Sequence, residues 1–343
     1  MIDMSGIGRI VIRLPNWVGD AVMALPAVNC IKSSFPQLHV SCLGKPSVNE
    51  LYKYNRNIDR LIDLRLPEGI GRLSGIKAFS RGLRKYDFDL GLILPNSFSS
   101  ALIFKLGGVR TRVGYRYEMR SFLLTDSVRL PTTSIHRSQR YVRLVRQLTG
   151  VGDCNDSIEV RGSDKERKAA DLFLAGIGRF AVVCPTSRAP SRRWGSQKYA
   201  ELTGRLSDEL GLGVVLAGAA DESRIVDEVG RMSGAAYLSL ADENDLLLSI
   251  EVMRRSEVFI GNDSGAAHLA AASGTKVVSI SGADNPHETR PLAKISAIVN
   301  KRIDCSPCVK NVCPRDDHVN ECMSVISVDD VLDEVVNILG RNE

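Results

Sequence analysis

Short β-branched or aliphatic runs alternate with stretches of helical periodicity along most of the chain, and this alternation constrains the fold more than any other feature. Such a pattern builds parallel sheets, because a parallel neighbour is reached only through a crossover connection, usually a helix. In the first half, strands are expected at residues 9–14, 39–43, 60–64, 90–94 and 111–114, with a helix at 20–35; in the second, at 180–184, 213–217, 236–239, 257–260 and 276–280. The runs are apolar throughout instead of alternating, which suits sheets covered on both faces. The fold class is α/β, with two doubly wound domains. A polar, Gly/Asp-rich stretch at 150–163 marks the boundary, giving domains 1–160 and 161–343, and 343 residues suffice for two such cores. A last helix at 328–339 carries Val328, Val331, Leu332, Val335, Val336 and Leu339 at helical spacing.

Charge is distributed unevenly. The net charge is only +5, yet residues 105–146 hold ten basic side chains against two acidic ones. This segment attracts phosphate, whether on nucleic acid, an anionic leaflet or an acidic saccharide; nucleic acid is disfavoured because no recognition motif with interleaved aromatics accompanies the arginines. The alternative is a solvated basic face. No run approaches the roughly 20 apolar residues of a membrane span, since Arg13, Asn16 and Asp20 break the N-terminal one. Eight cysteines are too few for a disulfide scaffold, so a reducing, cytoplasmic setting is expected. Four of them, Cys305, Cys308, Cys313 and Cys322, have spacings that suit a structural zinc, with disulfides or free thiols as alternatives.

Ligands of open α/β sheets bind beyond the carboxyl ends of strands, so the post-strand loops carry the candidate chemistry. The loop 14–20 places Asp20 at a helix start, where it either complements the helix dipole or serves as a general base taking a proton from a hydroxyl. The segment Asn262-Asp-Ser-Gly265 with His268 reads as strand, tight turn and helix, an open N-terminus suited to a diphosphate, although Asp263 or Ser264 can also be simple caps and His268 a buried core residue. The loop 184–194 brings Thr186, Ser187, Arg192 and Arg193, hydroxyls and cations able to hold a leaving diphosphate without a metal. Glu222, after another strand, can accept hydrogen bonds from a ribose. Asp87-Phe-Asp89 lies before its strand, at the wrong end for a ligand. A G-x-G-x-x-G fingerprint is absent, which disfavours a dinucleotide oxidoreductase.

Pro15-Asn-Trp-Val-Gly-Asp20, Leu94-Pro-Asn-Ser-Phe98, Gly114-Tyr-Arg-Tyr-Glu-Met-Arg120, Arg192-Arg-Trp194, Asn262-Asp-Ser-Gly265 with His268, and the terminal cysteines occur in order over nearly the whole chain. Together they resemble the lipopolysaccharide heptosyltransferases of glycosyltransferase family 9, in particular the heptosyltransferase II branch. The resemblance implies a GT-B fold: two Rossmann-like domains facing a central cleft, the first binding the acceptor and the second ADP-heptose or a related nucleotide sugar. It implies Asp20 as catalytic base and Thr186, Ser187, Arg192, Glu222, Asp263, Ser264, Gly265 and His268 as donor-binding; Arg193 is expected to join the donor site, and Asn96, Arg116 and Arg120 to bind the acceptor. It further implies inverting transfer with no cofactor required, a phosphorylated lipid-linked acceptor and a peripheral position on the inner leaflet. The family usually has Lys-Arg-Trp where this chain has Arg192-Arg193-Trp194, and arginine's planar fork is not equivalent to an ammonium. A GT-B transferase using another nucleotide sugar, and a non-catalytic sugar-nucleotide-binding module, are the alternatives.

Overall fold

The apolar runs become parallel strands. The computed structural model describes residues 2–152, 154, 157–243 and 245–341 and divides into two units, residues 1–158 and 159–343. The first unit runs β1 (Arg9–Arg13), α1 (Val18–Ser34), β2 (His39–Gly44), α2 (Pro46–Leu51), β3 (Arg60–Asp63), α3 (Arg72–Leu83), β4 (Leu90–Ile93), α4 (Phe98–Leu106), β5 (Thr111–Arg116), β6 (Asp126–Arg129) and α5 (Arg137–Thr149). Its sheet has the order β3-β2-β1-β4-β5-β6, every neighbouring pair parallel. The central strands are buried along almost their whole length because helices cover both faces. β6 lies outside the runs that the sequence marks: it reads Asp-Ser-Val-Arg, and as an edge strand with exposed ends it needs no apolar run. A disulfide, Cys30–Cys154, ties α1 to the segment after α5. At the amino end of the sheet, Asp89 Oδ2 accepts from the backbone N–H groups of Gly8 and Arg9, and Arg110 bonds both Asp87 and Asp89. Those acids are structural.

The second unit runs α6 (Asp164–Phe173), β7 (Phe180–Cys184), α7 (Ser196–Asp208), β8 (Gly213–Leu216), α8 (Ser223–Ser233), β9 (Tyr237–Ser239), α9 (Leu246–Arg255), β10 (Val258–Asn262), α10 (Gly265–Ser273), β11 (Val277–Ile280), α11 (Pro286–Thr289), β12 (Ser296–Val299), α12 (Glu321–Ser324) and α13 (Val328–Leu339). Its parallel sheet has the order β12-β11-β10-β7-β8-β9. Counted from its own first strand, this is the winding of the first sheet repeated. β12, the edge strand on the far side, is the second that the apolar runs do not mark. α13 is capped by Ser327, whose Oγ accepts from Asp330 N at 3.1 Å, and packs Val331, Leu332, Val335 and Ile338 into the core of this unit. Val336, expected on that stripe, is instead half exposed, and Ile338 takes the buried position. The order reverses between β1 and β4 in one sheet and between β7 and β10 in the other. Loops leaving these strands diverge to opposite faces and open the crevice where such folds bind ligands.

Candidate active site

In the first unit, the loop after β1 is shaped from beneath by Arg13, which is buried; its guanidinium donates to the Leu14 and Leu43 carbonyls and to Asn16 Oδ1. Burial pulls its pKa down to about 10, still charged at neutral pH. Beyond that loop Asp20 is the third residue of α1. Its Oδ1 accepts from Arg137 Nη1 at 2.5 Å, both side chains being partly exposed, so the carboxylate is oriented yet open to solvent. Arg137 opens α5, which packs against α1. Tyr141, one turn along α5, is buried, and its hydroxyl pKa is raised first by burial and then by the Asp20 charge.

The three expected acceptor residues part company. Arg116 is exposed and, among the described residues, bonds Ser127 Oγ at 3.3 Å and 3.4 Å. Asn96 is half-buried and its Oδ1 accepts from Arg120 Nη2 at 3.3 Å. Arg120 is fully buried, which corrects its expected role. It donates to the Tyr115 carbonyl at 2.7 Å and 3.1 Å and to the Pro95 carbonyl, fastening the loop after β4 to the end of β5. A guanidinium so enclosed is a brace, not a contact for an incoming saccharide. The basic segment as a whole is less uniform than its charge suggests. Arg110 is bound at the opposite end of the sheet, and Arg112 donates to the Leu123 and Val109 carbonyls.

The second unit gathers its candidates around the β7/β10 switch point. Asn262, wholly buried at the end of β10, donates to the Pro185 and Thr186 carbonyls, both at 3.2 Å, and accepts from Trp194 N at 3.2 Å. One amide thus holds both ends of the loop 184–194. Gly195 then turns the chain at φ 111°, a left-handed conformation that favours glycine, and α7 begins. Within that loop Thr186 and Ser187 are buried, and Arg192 Nη2 bonds Asp284 Oδ1 at 2.9 Å. Arg193 is exposed but donates from Nε to the Ser187 carbonyl at 2.9 Å, which fixes the loop. Glu222 turns back to accept from Ala219 N at 3.2 Å and remains half-buried.

The start of α10 is open. Ser264 stands at the cap position without capping the helix, and among the described residues its Oγ and Arg192 Nε are buried atoms with no hydrogen-bond partner. Unpaired buried polar atoms are costly, and Ser264 Oγ sits at the first turn of a helix whose N–H groups and dipole favour an anion. Gly265 opens the helix and His268 is buried one turn further along. Asp263 is buried between these loops, and its pKa is pushed up to about 7, first by burial and then by the neighbouring Asp284, with Arg192 opposing.

Among the described residues, no group of three or more His, Cys, Asp or Glu side chains is arranged to hold a metal ion, so the expected zinc site at Cys305, Cys308, Cys313 and Cys322 is not formed. The four are free thiols lining a small cavity, and Cys305 Sγ accepts from Arg315 Nη1 at 3.8 Å. Their segment serves as a clamp. Ser191 N and Oγ bond the Asn311 and Lys310 carbonyls at 3.2 Å and 2.5 Å, Asn320 bonds the Pro190 carbonyl at 3.0 Å, and Val309 N bonds the Ala283 carbonyl at 2.8 Å. The loops carrying Arg192 and Asp284 are thereby fixed to one support.

The family model for glycosyltransferase family 9 (heptosyltransferase) matches residues 76–318, which takes in both switch-point loops of the second sheet. The chain belongs to glycosyltransferase family 9. It is 27% identical to lipopolysaccharide heptosyltransferase 2 of Salmonella typhimurium over 305 residues, 85% of this chain and 87% of that one. Among solved structures it resembles E. coli ADP-heptose LPS heptosyltransferase II (TM-score 0.80, 23% identity, 96% and 98% of the two chains). It also resembles the glycosyltransferase family 9 protein of Veillonella parvula (TM-score 0.85, 20% identity, 98% of each chain). The fold is GT-B and the protein is a glycosyltransferase.

For this family 9 enzyme, Arg13, Arg137, Asn262 and Asp284 are the residues that sequence reasoning missed. Asp284 follows β11 in a post-strand loop, the same rule that picked out Asp263, while Arg137 had been counted only as charge. Asn262 stands in a motif the sequence marks, but its amide's bonds to the loop 184–194, and those of Arg13 to the Leu14 and Leu43 carbonyls and Asn16, appear only in the folded chain.

Proposed function

We propose that this enzyme moves a heptose from ADP-heptose to a phosphorylated, lipid-linked inner-core saccharide of lipopolysaccharide, with inversion at the anomeric carbon and without a catalytic metal. The second unit binds the donor and the first the acceptor. The observation that carries the reading is that, among the described residues, Ser264 Oγ at the start of α10 and Arg192 Nε in the loop 184–194 are buried without partners, with Thr186 and Ser187 buried in that same loop. A diphosphate supplies the missing acceptors, and two donors together with the helix dipole stabilise its charge as it leaves. Asp20 accepts the proton of the attacking hydroxyl as that oxygen bonds the anomeric carbon and the bond to the diphosphate oxygen breaks. Arg137 keeps the carboxylate aimed, and ADP departs with the electron pair.

An inner-leaflet acceptor agrees with the surface beyond the first sheet. Trp17, Phe98, Met119 and Phe122 are exposed there, with Lys105 Nζ 5.7 Å from the Phe122 ring and Arg116 on the preceding strand. Apolar side chains mixed with cations suit an anionic headgroup layer. No helix among the described residues is long and apolar enough to cross a membrane. Mass spectrometry of products formed from ADP-heptose, other nucleotide sugars and truncated core acceptors tests the reading. A heptose added only from ADP-heptose, with inverted anomeric configuration and in the presence of a chelator, is expected; transfer from a different nucleotide sugar alone overturns the donor assignment.

A further inference from the structure

Beyond β10 and β11 two carboxyl groups are buried together. Asp263 and Asp284 are each only 4% exposed, and Asp284 is the neighbouring charge that raises the Asp263 carboxyl. Arg192 binds the pair through Asp284 Oδ1 at 2.9 Å, and Thr289 Oγ1 lies 3.5 Å from Asp263 Oδ2. The two carboxyl groups beside the Arg192 guanidinium place negative charge next to the cradle that the donor diphosphate has to approach. Like charges held this close do not both stay ionised when a further anion arrives. We infer that Asp263 and Asp284 form a proton-sharing pair that holds Arg192 in place, and that a nucleotide diphosphate bound at this loop loads a proton onto the pair. The inference rests on the donor-binding reading above.

The electrostatics fix the direction. Burial and Asp284 already push the Asp263 carboxyl up to about 7, and Arg192 is the charge that opposes them. The flanking helices add His268 on α10 and His287 and Glu288 on α11 as the other titratable side chains. At pH 8 the free protein leaves the pair mostly without its shared proton, whereas an anion in the cradle raises the affinity for that proton. Binding therefore consumes protons, and the bound nucleotide meets one neutral carboxyl and one carboxylate already matched by Arg192. The pair has a second consequence: Arg192 is anchored before the nucleotide arrives, so less order has to be created on binding.

Isothermal titration of the full chain with ADP at pH 8, in buffers of different ionisation enthalpy, reads the proton count directly. The expected result is an uptake of roughly half to one proton per ADP, judged from a carboxyl titrating near neutrality. In whatever ADP binding Asp263→Asn retains, the uptake is abolished. Asp284→Asn reduces it and weakens ADP binding several-fold through the loss of the Arg192 anchor, with partial recovery in Asp284→Glu. ADP binding without proton uptake by the parent protein overturns the inference and leaves the donor reading standing. Uptake that persists in Asp263→Asn and disappears in His268→Gln overturns it as well. If a folded parent protein, judged by its thermal melt, binds no ADP, both fall. The parent measurement decides the matter even if Asp263→Asn fails to fold.

Discussion

The two sheets are wound identically, and they use their switch points in opposite ways. After β1 the first unit leaves a carboxylate, Asp20, partly exposed and held by one arginine. After β7, β10 and β11 the second unit buries Asp263 and Asp284, pairs Asp284 with Arg192 and, among the described residues, leaves Ser264 Oγ and Arg192 Nε without partners. In the proposed mechanism a proton acceptor has to meet its substrate's hydroxyl, which the partial exposure of Asp20 allows. An anion cradle gains strength from low dielectric and from donors that have nothing else to bond, so it is enclosed. Equal topology thus supports two chemistries, and the difference lies in how far each loop is sealed.

The comparison breaks first at Asp20. Asp20→Asn should lower turnover by about 10²–10⁴-fold, the usual contribution of a general base, with ADP affinity and the thermal midpoint nearly unchanged. Parent-like turnover in a purified variant would remove the base from the first sheet altogether. Arg192→Ala should cost on the order of 10²-fold in kcat/KM for the donor, with much less change in the KM of the acceptor. An effect confined to the acceptor would mean that the cradle belongs to the wrong substrate.

Arg120 and Arg116 sharpen the contrast within the first unit. Arg120→Ala strips hydrogen bonds from the buried Tyr115 and Pro95 carbonyls and should destabilise by roughly 2–3 kcal/mol, read as a lowered denaturation midpoint. Arg116→Ala should leave stability within about 0.5 kcal/mol and raise acceptor KM. Reversed outcomes would return Arg120 to the binding surface. A further effect concerns pH. A carboxyl raised from its ordinary value to about 7 makes the folded state bind more protons than the unfolded state between those two values, so Asp263 erodes stability as pH climbs from about 4 to about 7. Asp263→Asn should flatten that decline in melting temperature, and an unchanged slope would show that the burial of Asp263 carries no such cost.

Much of this arrangement is legible before folding. β1, β2, β4, β7, β10 and β11 are central apolar runs, and post-strand loops pick out Asp20, Thr186, Ser187, Arg192 and Asp263 from position alone. β6 and β12 escape because edge strands are not buried enough to need a hydrophobic signature. Arg120 misleads for a related reason. In sequence it is one more cation in a basic segment, and only its neighbours reveal that every donor points inward.

Sequence by itself determined that the chain winds two sheets and in which loops chemistry resides, because burial writes itself into hydrophobic pattern and loop position follows from strand ends. Tertiary structure decided which side chains in those loops are tethered and which are left with unmet hydrogen-bonding capacity. It alone joined Arg137 to Asp20, Asp284 to Arg192 and Asn262 to the loop 184–194. Each of these pairings is between residues tens of positions apart, so its energy depends on proximity and local dielectric that no linear pattern encodes.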